Sequence, residues 1–369
     1  MSGQRHLSRR TFLKAGALVM GGVALNGVPS DWSKAQAAPT TGAGETAKVY
    51  FTSAITPESL IRIYEALGHP LKDRVAVKIS TGEPGGHNFL QPALIAPLVN
   101  KLNGTIVECC TAYNGKRLNP RDHWQAIEDH GFKAVAPCDI MDEFGDMAIP
   151  VNNGFHLKEN IVGKHLENYA SVLILSHFKG HAMGGFGGAL KNMSIGIAST
   201  RGKTNIHTAA VTTDHTKLFS NLPEQDHFLE SMADACKAVI DYKGKENILY
   251  INVANKLSID CDCDSHPHDP EMADIGIFAS ADPVALDQAC YDAVVHSPDP
   301  GKAALVKRMD ALHGIHTVEA ANELGLGSRR YEVVSLGERL PYLKQAETAD
   351  DKTKRSHEQK NSYSGRKPA

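Results

Sequence analysis

Residues 171–176 read Ser-Val-Leu-Ile-Leu-Ser, and the glycine-rich run His181-Ala-Met-Gly-Gly-Phe-Gly-Gly-Ala-Leu-Lys191-Asn192 follows shortly after them. The first stretch is typical of a buried β-strand. Open α/β sheets place their binding sites just beyond the ends of such strands. The two stretches together therefore predict an α/β fold with a site in the glycine-rich loop. The alternative is a surface turn whose polar residues are only solvated.

Short β-rich runs alternate with helical patterns along the rest of the chain. Further strands are predicted at 75–79, 105–108, 248–253 and 275–279, and helices at about 92–102, 121–130 and 226–242. Asp282-Pro283 predicts the start of another helix, with an N-cap followed by proline. This alternation predicts a largely parallel sheet with flanking helices. A mature chain of about 330 residues favours two lobes over a single core.

Polar residues follow these strands directly. Glu83 lies shortly after the first strand, Glu108 ends the second, and His177 and Lys179 follow the third. Because the carboxyl ends of parallel strands meet at one edge of the sheet, we expect these side chains to converge there.

The first residues predict a targeting signal. Ser8-Arg9-Arg10-Thr11-Phe12-Leu13-Lys14 matches a twin-arginine motif. An uncharged apolar stretch, Ala15 to Leu25, follows it, and the small-residue cleavage pattern Ala35-Gln36-Ala37 comes after that stretch. We therefore expect a twin-arginine signal peptide at 1–37, recognition by the twin-arginine translocation machinery and a periplasmic location. An α/β domain is expected at 38–345. The polar residues 346–369 predict a disordered tail.

The charge of the chain excludes some classes of partner. Removal of residues 1–37 leaves 34 basic and 41 acidic side chains, a net charge of −7. An acidic protein without basic clusters argues against binding to nucleic acid or to anionic membranes. No segment of the mature chain reaches transmembrane length. Gly202-Lys203-Thr204 lacks the earlier glycine of a phosphate-binding loop, since position 197 is isoleucine.

The glycine-rich loop carries the candidate catalytic groups. Its glycines, which allow a backbone to approach a ligand closely, are Gly184, Gly185, Gly187 and Gly188. Burial can tune a lysine such as Lys191, and a histidine such as His181 is a common acid or base. Together with Asn192, these residues predict a cofactor-binding loop.

A second candidate site is the segment Cys261-Asp-Cys263-Asp-Ser-His266-Pro-His268. Thiolates and imidazoles together suit zinc, nickel or iron, although the spacing is that of neither a zinc finger nor a ferredoxin. Buried cysteines in a proline-stiffened loop are the alternative. We expect Cys261 and Cys263 to remain unlinked, because a disulfide across one residue closes a small, strained ring.

Most of the mature chain, from about residue 48 to 338, resembles the family of uncharacterised Fe–S-centre proteins called domain of unknown function 362. The matching stretches are Tyr113-Asn-Gly-Lys-Arg117, His177-Phe-Lys-Gly-His181, Gly187-Gly-Ala-Leu-Lys-Asn192, Arg201-Gly-Lys203, Cys261-Asp-Cys263, Asp274-Ile-Gly-Ile277 and Ser280-Ala-Asp-Pro-Val-Ala-Leu-Asp-Gln288. Many members carry a ferredoxin insert with repeated Cys-x-x-Cys. This chain lacks that insert, so no ferredoxin-type Fe–S cluster is expected in it.

The loop also resembles that of the lactate racemase family, which uses a nickel pincer nucleotide. In that family an acid/base histidine precedes the pincer-bearing lysine by ten residues, and a nickel-binding histidine follows sixteen residues later. His181, Lys191 and His207 have the same spacing. Lys116, beside Arg117, stands where that family has another catalytic histidine, and Met193-Ser-Ile-Gly196 replaces its proline-glycine.

These observations predict an exported enzyme that depends on a metal or cofactor and acts on a small polar, 2-hydroxy-acid-like molecule. Its reaction would be an isomerisation or an oxidoreduction. His181, Lys191, Lys116 and Arg117 are the expected catalytic residues, and His207, Cys261, Cys263 and His266 the expected metal ligands. The metal could be nickel, iron or zinc, and the resemblance implies a nickel pincer nucleotide. The alternatives are a metal-binding or electron-transfer protein without catalytic activity, and a binding protein for an exported solute that needs no metal.

Overall fold

The computed structural model describes residues 46–346. The predicted signal peptide lies outside these residues, as does the predicted tail beyond Ala346. Ala346 itself is tied to the sheet, because its backbone N–H donates to the carbonyl of Val333 over 2.8 Å.

A mostly parallel sheet of eight strands forms the centre of the fold, in the order β12-β1-β11-β10-β7-β2-β3-β4. Two small two-stranded sheets, β5-β6 and β8-β9, lie outside it. The strands are β1 Ala47–Thr52, β2 Val75–Lys78, β3 Thr105–Glu108, β4 Cys138–Ile140, β5 Asp146–Pro150, β6 Glu159–Gly163, β7 Ser171–His177, β8 Lys179–His181, β9 Gly185–Gly187, β10 Ile248–Ala254, β11 Gly276–Ser280 and β12 Tyr331–Ser335.

Strand β11 alone runs against its neighbours in this sheet, pairing antiparallel with both β1 and β10. All other pairings in the eight-stranded sheet are parallel. The prediction of an α/β fold with a largely parallel sheet is therefore confirmed.

Helices cover both faces of the sheet. They are α1 Pro57–Ala66, α2 Pro92–Lys101, α3 Pro120–Asp129, α4 Ala189–Ser194, α5 Thr200–His207, α6 Gln225–Lys243, α7 Pro283–Val295, α8 Ala303–Ala311 and α9 His316–Glu323. Helix α7 begins as predicted, since the Asp282 carboxylate accepts hydrogen bonds from the N–H groups of Val284 and Ala285. Helix α3 is followed by Gly131 at φ 83°, the left-handed conformation that glycine adopts most readily at helix ends.

The central strand β7 shows why two helical layers are needed. All seven of its residues are buried. Val172 and Ile174 face one layer, which includes α4, α6 and α7, and Leu173 and Leu175 face the other, which includes α1, α2 and α3. A parallel strand buried on both faces gives the continuous apolar run seen in the sequence.

Residues 46–346 belong to one compact unit around this sheet, rather than to the two lobes that the chain length favours. The physical reason is that both helical layers pack against the same eight strands, so the chain has one sheet to build on. Within the described range, no helix is long and apolar enough to cross a bilayer.

Candidate functional site

Three neighbouring strands deliver charged side chains to one edge of the sheet. Lys78 ends β2, Glu108 ends β3 and His177 ends β7. From β2 the chain continues outward to β3 and β4, and it then returns to the other side of β2 as β7. Such a reversal opens a crevice at the carboxyl ends of the strands, which is the usual binding site of open α/β sheets. The predicted convergence is present.

A pocket lies at this edge. Its charged and imidazole-bearing lining residues are Lys78, Glu108, Arg117, His177, Lys179, His181, Lys191, Lys203 and His207. Five basic side chains and three histidines thus face a pocket with a single carboxylate in its wall. Cys263, Gly187 and Asn192 also line it.

One group of ion pairs surrounds Glu108. Its carboxylate accepts from Lys78 Nζ over 2.8 Å and from an Arg117 guanidinium nitrogen over 3.2 Å. Arg117 also donates to Glu83 over 3.0 Å. Burial alone would raise the pKa of Glu108, but Lys78 and Arg117 lower it well below its ordinary value. The charges in this group are therefore compensated.

A second compensated group surrounds Asp262. Its carboxylate lies 2.8 Å from His177 Nδ1 and 2.8 Å from Lys179 Nζ. The other ring nitrogen of His177 is 2.6 Å from the carbonyl of Asn255. Burial would raise the pKa of Asp262, but His177 and Lys179 lower it more strongly. Both ring nitrogens of His177 face hydrogen-bond acceptors.

The glycine-rich loop folds into the β8–β9 hairpin and the start of α4. Its glycines mainly allow the loop to pack closely against other segments of the protein. Gly185, at φ 76°, would place a side chain against Gly314, and a side chain at Gly188 would collide with the carboxylate of Asp287. That carboxylate accepts from the N–H groups of Ala189 and Leu190 at the start of α4. Of the four glycines predicted to bind a cofactor, Gly187 alone lines the pocket.

Asn192 fastens α4 to the ends of the strands. Its side-chain amide donates to the Lys78 carbonyl over 3.0 Å and to the Ser176 hydroxyl over 3.1 Å. It thereby bridges β2 and β7 directly beneath the pocket.

The hydrogen bonds of His181 fix its tautomer. Its Nδ1 accepts from the backbone N–H groups of Met183 over 3.2 Å and Gly184 over 2.8 Å. Burial, with the nearby charge of Lys191, lowers its pKa well below the ordinary value, so the ring is neutral. The single proton of that ring must therefore sit on Nε2, and His181 can donate to a ligand in the pocket. The acid/base role of His181 remains a prediction, in which Nε2 would be the atom that carries the proton.

Lys191 differs from Lys78, Arg117 and Lys179 because no carboxylate pairs with it, and from Lys203 because that ammonium donates to the Ala198 carbonyl. Its ammonium has no hydrogen-bond or ion-pair partner among residues 46–346. Desolvation, followed by the charge of Lys179, lowers its pKa to about 7. The side chain is only partly accessible. At neutral pH a large fraction of Lys191 is therefore the uncharged amine, which can act as a base or a nucleophile.

His207 lies at the end of α5 and presents a free lone pair. Its Nδ1–H donates to the Lys203 carbonyl over 2.7 Å, and its ring stacks on Phe228 at 4.9 Å between centroids. Burial lowers its pKa to about 4. Nε2 is therefore unprotonated and suited to a metal or a proton. Lys203, whose Nζ donates to the Ala198 carbonyl over 2.5 Å, lies buried beside it.

The Cys261–Cys263 segment differs from the prediction. The two sulfurs form a disulfide, with the Cα atoms 5.2 Å apart. A turn, in which the N–H of Asp264 donates to the Cys261 carbonyl, brings the two side chains together, so the small ring closes. Sγ of both cysteines and a His181 ring nitrogen lie within 4.8 Å of one another. Metal binding by these thiolates remains a prediction, and it would first require reduction of the disulfide.

Other predicted residues lie outside the pocket. His266 is exposed and contacts the Ser265 hydroxyl over 2.9 Å. Lys116 is exposed as well, although its backbone N–H contacts Glu83. The structure thus brings His181, Lys191, His207 and Arg117 together in one pocket, but not Lys116 or His266.

Sequence reasoning missed Lys78, Lys203 and Asp262. Lys78 is a charged residue in the otherwise apolar strand β2, and a charge in a buried strand indicates a nearby partner or a site. Lys203 belongs to an incomplete phosphate-binding motif and to a stretch that matches the family, but neither pattern assigns it to the pocket. Asp262 stands between two cysteines, and no local pattern indicates that it pairs with His177 and Lys179.

Comparison with known proteins identifies the family. The profile of "Domain of unknown function (DUF362)" matches residues 75–292, more than half of the chain. This chain belongs to the DUF362 family. The matched residues of this DUF362 protein contain β2 to β11, and so every strand that lines the pocket. No curated protein matches the chain.

Two solved structures are similar to this DUF362 protein at low identity. The lactate racemase apoprotein from Thermoanaerobacterium thermosaccharolyticum is 12% identical, with a TM-score of 0.36, covering 87% of this chain and 92% of its own. A protein from Thermotoga maritima is also 12% identical, with a TM-score of 0.38, covering 82% of this chain and 92% of its own.

Proposed function

We propose that the pocket is the active site of an enzyme that moves a proton at the carbon next to the carboxylate of a small acid. The observation that carries this proposal is the ammonium of Lys191, which lacks a carboxylate partner within the described part of the chain and has a pKa of about 7. A base with a pKa near the working pH transfers protons efficiently.

The neighbouring residues support complementary roles. Lys203, whose ammonium has no carboxylate partner among the described residues, makes the pocket attractive to a substrate carboxylate. His181, with its proton on Nε2, would donate to a carbonyl or hydroxyl oxygen of the substrate, as a neutral imidazole can. Lys191 would then take or return the proton. Arg117 holds Glu108 and Glu83 and would act by positioning rather than by contact with the substrate.

The same residues fit a metal-containing cofactor of the nickel pincer type. The amine of Lys191 could carry a covalent attachment, and Nε2 of His207 offers a free lone pair as a metal ligand. When bound, such a group would supply a hydride acceptor. His181 and Lys203 would keep the roles given above, whereas Lys191 would hold the group instead of acting as the base.

Exchange of the substrate proton tests this proposal. We would incubate the protein, as purified from its natural compartment, with 2-hydroxy acids in deuterated water and follow deuterium at carbon 2. Lys191→Met should abolish exchange, and Lys217→Met, at an exposed lysine, should leave it unchanged. Exchange that persists in Lys191→Met would contradict the proposed role of Lys191.

We also propose export through the twin-arginine pathway to the periplasm, on the basis of the motif around Arg9 and Arg10. Replacement of both by lysine should leave the precursor in the cytoplasm, because lysine lacks the planar guanidinium fork. Normal export of that variant would contradict the proposal.

A further inference from the structure

A cluster of four histidines and two carboxylates lies along one side of α6, outside the pocket. Two groups make up this histidine cluster. The first contains His156, His227 and Glu230, and the second contains Asp226, His313 and His316. Within each group, one ligand atom from every residue lies within 4.8 Å of the others.

Both groups have the same chemistry, two imidazoles and one carboxylate. Nitrogen and oxygen ligands in this ratio suit divalent first-row metals such as zinc. A tetrahedral zinc ion with bonds of ~2.0–2.1 Å holds its ligand atoms roughly 3.3 Å apart, so small side-chain rotations would close either group. Three protein ligands leave one position open to water.

Glu230 connects the two groups. One of its carboxylate oxygens lies 2.5 Å from His156 Nε2, and the other lies 3.1 Å from His316 Nε2. The second group is pre-arranged by a contact of 2.7 Å between His313 Nδ1 and Asp226 and by stacking of His313 on His316. His227 is exposed. Among the described residues, its imidazole ring contacts only the ring of His156. It is thus available as a ligand.

We infer that this cluster binds two zinc-class divalent ions, one held by His156, His227 and Glu230 and the other by Asp226, His313 and His316. The ligands come from three separate segments: the loop before β6, helix α6, and the turn between α8 and α9 together with the first residue of α9. The ions would therefore join these segments. Gln225, the first residue of α6, donates to the Met183 carbonyl over 2.7 Å, so the joined region adjoins the hairpin that carries His181.

The test is to titrate the chelator-treated full chain with zinc. Calorimetry measures the number of ions bound, and thermal melting measures the change in stability. The parent should bind two ions at the cluster, and its melting temperature should rise by about 5 °C at saturating zinc. His227→Gln and His313→Gln should each lose one ion, and the double variant should lose both together with the thermal shift. His165→Gln, which removes an imidazole paired with Asp139 elsewhere, should leave both ions bound.

Equal melting temperatures of parent and variants in chelator would show that the variants fold. Cobalt absorption lost in the double variant but kept in His165→Gln would support the assignment. The assignment would be overturned if the double variant bound as many ions as the parent, or only one ion fewer.

Discussion

The two sides of the pocket differ in how their charges are compensated. On one side, Glu108 and Asp262 neutralise Lys78, Arg117 and Lys179 through short ion pairs. On the other, Lys191 has no carboxylate partner in the part of the chain that the structure describes. The first side holds the strand ends in place. The second retains an amine of lowered pKa and two neutral imidazoles for a ligand. One pocket can thus contain ion-paired residues that fix the strand ends beside residues that remain available for chemistry.

The largest expected effect is on the compensated side. Glu108→Gln would leave Lys78 and Arg117 buried beside a neutral amide, which should lower the free energy of unfolding by about 3–5 kcal/mol. Urea unfolding at pH 7 measures it. Glu128→Gln, in the exposed pair with Lys133, should cost less than ~0.5 kcal/mol. Equal costs would contradict the distinction between the buried and exposed pairs.

A smaller effect is expected at His181. His181→Ala leaves the N–H groups of Met183 and Gly184 without an acceptor, at a cost of about 1–3 kcal/mol in the free energy of unfolding. His181→Asn provides an oxygen near the position of Nδ1 and should recover most of that loss, while removing the donor at Nε2. If the two variants unfold with the same free energy, the assigned tautomer is wrong.

The smallest stability effect is expected at Lys191, and its sign is opposite. Lys191→Met should raise the free energy of unfolding at pH 7 by about 1–2 kcal/mol, because a desolvated ammonium without an ion pair is removed. The pKa of this lysine is about 7 in the folded chain and 10.5 as its ordinary value. Between pH 7 and pH 10.5 the unfolded chain therefore binds more protons at this lysine than the folded chain does. The free energy of unfolding of the parent consequently rises with pH across that range.

The pH profile provides the control for this prediction. The advantage of Lys191→Met should be largest below pH 7 and should vanish as the pH approaches 10.5. An advantage that is independent of pH would mean that better packing, rather than removal of the charge, is the cause.

The sequence predicted the sheet well because apolar runs report burial directly. The strand predicted at 105–108 has those bounds in the structure, and β7 extends the predicted run by one residue. The pocket was predicted in part, because strand-end residues such as His177 must converge on a parallel sheet edge. Which charges pair cannot be read from local patterns: Asp262 meets His177 across 85 residues. The role of the glycines was also hidden, since Gly188 is needed to fit the distant Asp287.

The central claim is that Lys191 is a pocket lysine without a charge partner that loses its proton near neutral pH. Competitive acetylation across pH 5–11, with peptide masses for Lys191 and the exposed Lys217, tests it most directly. We expect half-maximal reactivity of Lys191 at a pH of about 7, well below the ~10.4 of an ordinary lysine side chain. If the reactivities of both lysines followed the same pH profile, the lowered pKa of Lys191 would be wrong.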